Sequence, residues 1–345
     1  MSLPRLPRAI RALETADPVT FFRDLCEDGI GDGLPVIPPT DARVAMMLAG
    51  RDPGEVVGML APLFRELTIE DLAVCAVLAG AGPEHLPALI AAAHAVQDPG
   101  FNLLGVATTT GTTSVGLILH GPYARRVEAN SGSNCMGPGN VTNATLGRAL
   151  SFVLRAGGMI PGTLDMSTMG HPGKYGFCFA EAEHTDFPSY CDRIGLPHAA
   201  SAVSVFAASG SVEVVDVHSD TAVGLLETLA SALPVPGTAN AEGAFLGSGE
   251  PLIVIPPEWA DKLSKDGISP LKACALLHEW STIPLDRLSP SIAGSLDDTV
   301  CSTGRVAAAR NPESIVLIVA GGVGTKATYL PTWQGGSTIS TSRIP

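Results

Sequence analysis

Leu252-Ile253-Val254-Ile255-Pro256-Pro257-Glu258 reads as four apolar residues, a double-proline stop and a helix start. An unbroken apolar run of this length is a strand covered on both faces, the kind found in sheets flanked by helices. The order has an echo near the N-terminus, where Asp32-Gly33-Leu34-Pro35-Val36-Ile37-Pro38-Pro39-Thr40 gives a brief extended segment, a Pro-Pro stop and a capped helix from about Asp41 to Ala49. The repeat predicts an α/β fold built as two related halves of mixed sheet and helices. The first half, 1–200, carries a glycine-rich central stretch, and the second, 201–345, a glycine-rich loop of its own.

That second loop follows another continuous apolar strand, Ser314 to Ala320, and reads Gly321-Gly322-Val323-Gly324-Thr325-Lys326. It fails the P-loop pattern, because Thr325 stands at the second glycine and Ala327 follows the lysine. Gly322, Gly324 and Ala327 match the relaxed dinucleotide spacing, but no room follows for the rest of a βαβ unit or its acidic ribose ligand. ATP and NAD are therefore not expected. A strand-end glycine nest with a lysine still suits a carboxylate, through the backbone of Gly322, Gly324 and Thr325 and the charge of Lys326. The alternative is a turn that happens to carry a lysine.

Other elements follow from pattern. Residues 19–28 read as a short helix. Thr68-Ile69-Glu70-Asp71 resembles a capping box ahead of an apolar helix to Ala81, and Leu86 to Val96 is a second, alanine-rich helix. Leu103 to Leu119 reads as strand–turn–strand around a Thr–Gly run that lines a site through hydroxyls and exposed N–H groups or makes a plain turn. Strands are expected within Ala202–Val217, helices over Thr221–Leu233, from Glu258, and over Pro270–Trp280, with a loop from Pro234 to Gly249.

The chemistry concentrates in Asn130–Glu183. Gly132, Gly137 and Gly139 permit tight turns, and Asn140, Thr142 and Asn143 are competent N-caps for a helix that Gly157-Gly158 stops. Free N–H groups at such a loop would bind carboxylate or phosphate, with Asn134, Gly139, Asn140, Asn143 and Arg148 as candidate ligand contacts. An ordinary capped helix is the other reading. Cys135, near a helix start, is a candidate nucleophile with a lowered pKa. His171-Pro172-Gly173-Lys174-Tyr175 offers His171 as a proton carrier and Lys174 as clamp, base or Schiff-base amine. Phe177 to His184 alternates like a strand, which would put Glu181 and Glu183 on one face for acid/base work or, with His184, for a metal. A solvated strand edge would look the same.

The chain has 345 residues, net charge -13 and pI near 5.0. The acidic balance argues against nucleic acid as partner. Hydrophobic residues make up 46% and charged ones only 16%, which suits a large buried core and further surface covered in a homo-oligomer. Seven scattered cysteines without C-x-x-C, and no hydrophobic leader in Met1–Pro18, point to a reducing cytoplasm. Gly100 to Tyr123 is uncharged, but its threonine centre is too polar for a membrane span.

Four blocks, Asp32–Thr40, Gly137–Ala149, Gly170–Tyr175 and Gly321–Lys326, together resemble a bacterial family sometimes labelled UGSC-like or thioredoxin-like. The resemblance runs over nearly the whole chain and implies that the blocks share one site. It brings no reaction with it, and the chain departs from the label, with Ser131-Gly132-Ser133-Asn134-Cys135 and no UGSC or CGSC. The expectation from the residues is a hydrolase or lyase for a small carboxylate-bearing molecule, without nucleotide cofactor. Lys174, Lys326 and Arg148 would hold the anion together, Glu181 or His171 would move protons, and Cys135 would serve where a nucleophile is needed. The alternatives are a divalent-metal enzyme using Glu181, Glu183 and His184, a thiol redox protein through Cys135, and a non-catalytic binder of small anions.

Overall fold

A computed structural model describes residues 6–197, 199–238, 249–296 and 298–345. Twelve strands are described: β1 Val56–Leu60, β2 Arg65–Thr68, β3 Ser114–His120, β4 Cys178–Ala180, β5 Ala202–Ala208, β6 Val212–Val215, β7 Leu252–Ile255, β8 Thr282–Pro284, β9 Arg305–Ala307, β10 Val316–Val319, β11 Lys326–Leu330 and β12 Ser340–Arg343. β1–β2 is a small hairpin, β8–β9 a two-stranded antiparallel pair, and the other eight form two four-stranded mixed sheets.

The first sheet has the order β12-β5-β3-β4 and the second the order β6-β11-β7-β10. Each has the same plan. A central strand (β3 or β7) has a parallel neighbour on one side (β4 or β10) and an antiparallel one on the other (β5 or β11). The fourth strands are exchanged. β6 follows β5 in the chain but pairs with β11, whereas β12 follows β11 but pairs with β5. The two crossings touch, since Ser209 N–H donates to the Pro331 carbonyl and Trp333 N–H to that of Ala207. The two related halves are thus expressed as two sheets that share their edges, and β5, beyond residue 200, lies inside the first sheet.

The sheets stack face to face, with Ile118, Phe179 and Phe206 of one against Leu252, Val254, Ile318 and Leu330 of the other. Their outer faces are covered by helices. Val115, Leu117, Val203 and Val205 meet the helices Ile69–Ala79, Leu86–Val96 and Val141–Gly157. Ile253, Ile255, Leu317 and Tyr329 meet Ala222–Ala232, Pro257–Lys265 and Pro270–Trp280. Four layers result, which is why Leu252–Ile255 and Val316–Val319 are apolar at every position: both faces are buried.

The local signals hold at most helix ends. Thr68 and Asp71 form a reciprocal capping box, Asn140 caps Val141–Gly157 by accepting from Asn143 N–H, and Gly158 closes that helix in the left-handed region. Two expectations are corrected. Pro35–Thr40 is no counterpart of β7, for its one ladder contact is a bridge from Thr40 to Ala12, and Pro35, Pro38 and Pro39 have no N–H to give a sheet. Leu103–Thr108 is helical rather than a strand, capped by the Asn102 side chain. The expected loop Pro234–Gly249 falls mostly on 239–248, outside the described residues. No helix among the described residues is long and apolar enough to cross a membrane.

Candidate functional site

Arg148 and Arg155 stand seven positions apart on Val141–Gly157, so they share one face two turns apart. Both reach the glycine-rich loop 29–34. Arg148 forks onto Asp32, with Nε 2.7 Å from Oδ2 and Nη2 2.9 Å from Oδ1, and also donates to the Leu34 carbonyl. Arg155 donates from Nε to the Ile30 carbonyl and from Nη2 to those of Gly29 and Gly31, at 2.8, 3.0 and 2.7 Å. Its Nη1 has no hydrogen-bond partner among the described residues. Burial works against the Arg155 charge, and the carboxylates of Asp32 and Asp165 work for it.

The facing wall is the turn Pro172–Tyr175. Two glycines let it rest on the helix backbone: a Cβ on Gly147 would lie 2.7 Å from Phe177 N, and one on Gly176, whose φ is +147°, would lie 2.6 Å from Arg148 N. His171 caps the turn. Its Nδ1 accepts the Gly173 N–H at 3.0 Å and lies 3.1 Å from Ser114 Oγ. A ring nitrogen that accepts from a backbone N–H carries no proton in the neutral ring, so the proton sits on Nε2. Burial, then the Lys174 ammonium, holds His171 below the usual histidine range, which keeps the ring neutral at pH 7. Nε2–H has no partner among the described residues.

Lys174 Nζ is 2.8 and 2.6 Å from the two oxygens of Asp165 and 2.7 Å from Ser167 Oγ, which satisfies its three protons. This cluster lies between a void of about 30 Å³, room for a water, and an open cleft of about 370 Å³. Asp32, Arg155, His171, Lys174, Met169 and Tyr175 line the cleft. Arg148, Arg155 and Lys174 against Asp32 and Asp165 leave one net positive charge there, in a chain of net charge -13. The arrangement offers two unengaged donors, Arg155 Nη1 and His171 Nε2–H, and suits an oxyanion.

Of the expected site residues, His171, Lys174 and Arg148 come together here, with Arg148 held by Asp32. Lys326 does not join them. Lys174 belongs to the turn beside Ser114, at the start of β3. The 321–326 loop packs on Ser131 and Ser133, next to Asn130, which accepts from Ala180 at the opposite end of β3. The strand between them is about 20 Å long. The Lys326 side chain is exposed and has no hydrogen-bond or ion-pair partner among the described residues, while its backbone pairs with Val215 in the sheet. The nest is used internally: Gly324 N–H donates to Glu258 Oε2 at 2.8 Å, the Thr325 carbonyl accepts from Asp216, and Gly322 presses on the Ser133 side chain.

The loop before Val141 is likewise engaged with itself. Asn134 donates to the Pro138 carbonyl, Asn140 to that of Glu128, and Asn143 to those of Asn130 and Cys135, while Gly139 provides a turn at φ +116°. These residues build the loop's shape. Cys135 is 6% exposed, in the layer between the sheets, and burial pushes its thiol up instead of down.

Glu181, Glu183 and His184 do not form a set. The strand ends at Ala180, because Glu181 N–H bonds to Leu119 in the first sheet and Ala182 N–H to Val319 in the second. Glu181 is buried and accepts from His120, with 2.7 Å between Oε2 and Nδ1. His120 Nε2 lies 2.8 Å from Ser204 Oγ, which meets Thr341. Glu183 pairs with Arg125 at the surface, and His184 with Asp261. Among the described residues no group of three His, Cys, Asp or Glu is placed to hold a metal.

Asp32, Ser114, Arg155, Asp165 and Ser167 were not among the expected site residues. Arg155 had a legible signal: two arginines seven apart on one helix, in a chain with only 21 Lys and Arg, share a face. Asp165 had none, since its role depends on where the chain returns after Gly158. Comparison of the chain with protein-family models, with curated proteins and with solved structures finds no match.

Proposed function

We propose that the cleft between the loop 29–34 and the turn Pro172–Tyr175 binds a small carboxylate-bearing molecule, and that the protein is a hydrolase or lyase acting on it without a nucleotide cofactor. One observation carries this reading: a net positive cleft with two unengaged donors, Arg155 Nη1 and His171 Nε2–H, in an otherwise acidic chain. His171 is the group able to exchange a proton with a ligand, because its Nε2 is free and its ring neutral. Lys174 acts through its charge. With Asp165 and Ser167 on its protons it is no candidate for a Schiff-base amine.

A non-catalytic anion-binding protein is the second reading, favoured by the fact that Lys174, Arg148 and Asp32 are all engaged with one another or with their neighbours. The thiol and metal readings gain no support from the buried Cys135 and the dispersed Glu181, Glu183 and His184.

Titration with acetate, followed through the His171 ring nitrogens by NMR, tests the site. Binding is expected to shift Nε2 and raise the His171 pKa, since an anion beside the ring favours its charged form. No shift at His171 with acetate in the tens of millimolar would refute the assignment. Incubation with carboxylate esters, amides and β-hydroxy acids, monitored for new products, then separates enzyme from binder.

A further inference from the structure

The two donors and the rest of the cleft differ in character. Arg155 and His171 hold the unengaged donors, whereas Pro161, Met169, Pro172 and Tyr175 supply an apolar lining. Met169 is 85% exposed and Tyr175 54%, so both side chains are open to a ligand that enters the cleft. The positive charge is sufficient for one anionic group, because Asp165 neutralises Lys174 and Asp32 neutralises Arg148, leaving Arg155. A second carboxylate on a ligand would find no unpaired cation among the residues lining the cleft and would lose its hydration against methionine and proline. The volume, about 370 Å³, exceeds what a carboxylate alone fills.

Resting on the anion-site reading above, we infer that the ligand is a monocarboxylate with an apolar body. Its carboxylate lies on Arg155 Nη1 and His171 Nε2–H, and its body covers Pro161, Met169 and Tyr175. Met169 is then a specificity-determining residue, placed on the exposed rim where it adds nothing to the core.

Calorimetric titration with propionate, hexanoate, 3-phenylpropionate and adipate tests this on the full chain. Affinity is expected to rise roughly fourfold for each methylene buried, so that hexanoate exceeds propionate by tenfold or more and adipate falls below hexanoate. Met169→Lys places a cation on the apolar wall and should reverse the order of adipate and hexanoate. Adipate binding as tightly as hexanoate to the unaltered protein would overturn the inference and leave the anion site standing. An unchanged order in the Met169→Lys protein would also overturn it, because the wall would then not touch the ligand. Absence of binding by all four acids would remove the anion site itself.

Discussion

The Lys174 ammonium lies 2.8 and 2.6 Å from the two carboxylate oxygens of Asp165, and only 5% of the Asp165 side chain is exposed. The two charges are each other's reason for being tolerated so deep. Lys174→Met leaves a buried carboxylate with Ser167 nearby and no counter-charge, a loss of about 3 kcal/mol. Urea unfolding should show it, and Lys174→Met combined with Asp165→Leu should recover most of it. Equal stability of the single variant and the parent would mean that the pair is not closed in solution.

The pH dependence of stability should carry the signature of His171. Its folded pKa is held below the usual value of 6.5 by burial and by Lys174. The unfolded chain therefore takes up the proton first, so the His171 contribution is complete above pH 6.5 and is lost as the pH falls through the folded pKa. His85, buried and lowered in the same direction, contributes likewise. His171→Gln should flatten part of the acid limb of a melting-temperature profile, with His85 and the hydrogen-bonded carboxylate of Asp216 among the groups that supply the rest. An unchanged acid limb would contradict a buried neutral His171.

Thiol reactivity should follow burial. Cys301 is exposed and Cys26 half-buried, while Cys135 is sealed between the sheets with its thiol pushed up. Iodoacetamide labelling of the native protein, read by mass spectrometry, should modify Cys301 first and leave Cys135 intact until unfolding. Labelling of Cys135 as fast as Cys301 would restore it as a candidate nucleophile.

The Ser204–His120–Glu181 chain has the spacing of a catalytic triad but lies in the sheet–sheet layer, with His120 1% and Ser204 0% exposed. Its expected part is structural. His120→Ala takes one partner from a buried carboxylate, which keeps the Tyr190 N–H, and one from a buried hydroxyl, which keeps Thr341; it should lower stability by about 2 kcal/mol, with the affinity of the folded protein for acetate unchanged. A large loss of acetate binding at full stability would instead tie this chain to the cleft.

The legible part of the fold was what short range decides. Thr68, Asn140 and Gly158 announce helix ends because a cap bonds within three or four residues of itself. The two doubly buried strands, β7 and β10, were visible as unbroken apolar runs. The site was legible in part, at His171 and Lys174, where a histidine and a lysine break a glycine-rich run. Asp165 and Asp32 were silent, because a carboxylate's partner is set by tertiary return and not by spacing. The glycine nests misled for a related reason: loops rich in N–H donors attract carboxylates, and in Gly321–Lys326 the carboxylate that answers is the chain's own Glu258.

The exchange of β6 and β12 also bears on how the chain is made. Ser204 of β5 meets Thr341 of β12 across 137 positions. A ribosome delivers β5 long before β12, so the outer edge of β5 must wait, open-sided, while the second sheet is synthesised. An unpaired edge of that kind invites pairing with a neighbouring nascent chain. The strand order thus predicts association of chains released before β12 is made, and a rearranged gene that places 331–345 ahead of β5 would be expected to lessen it.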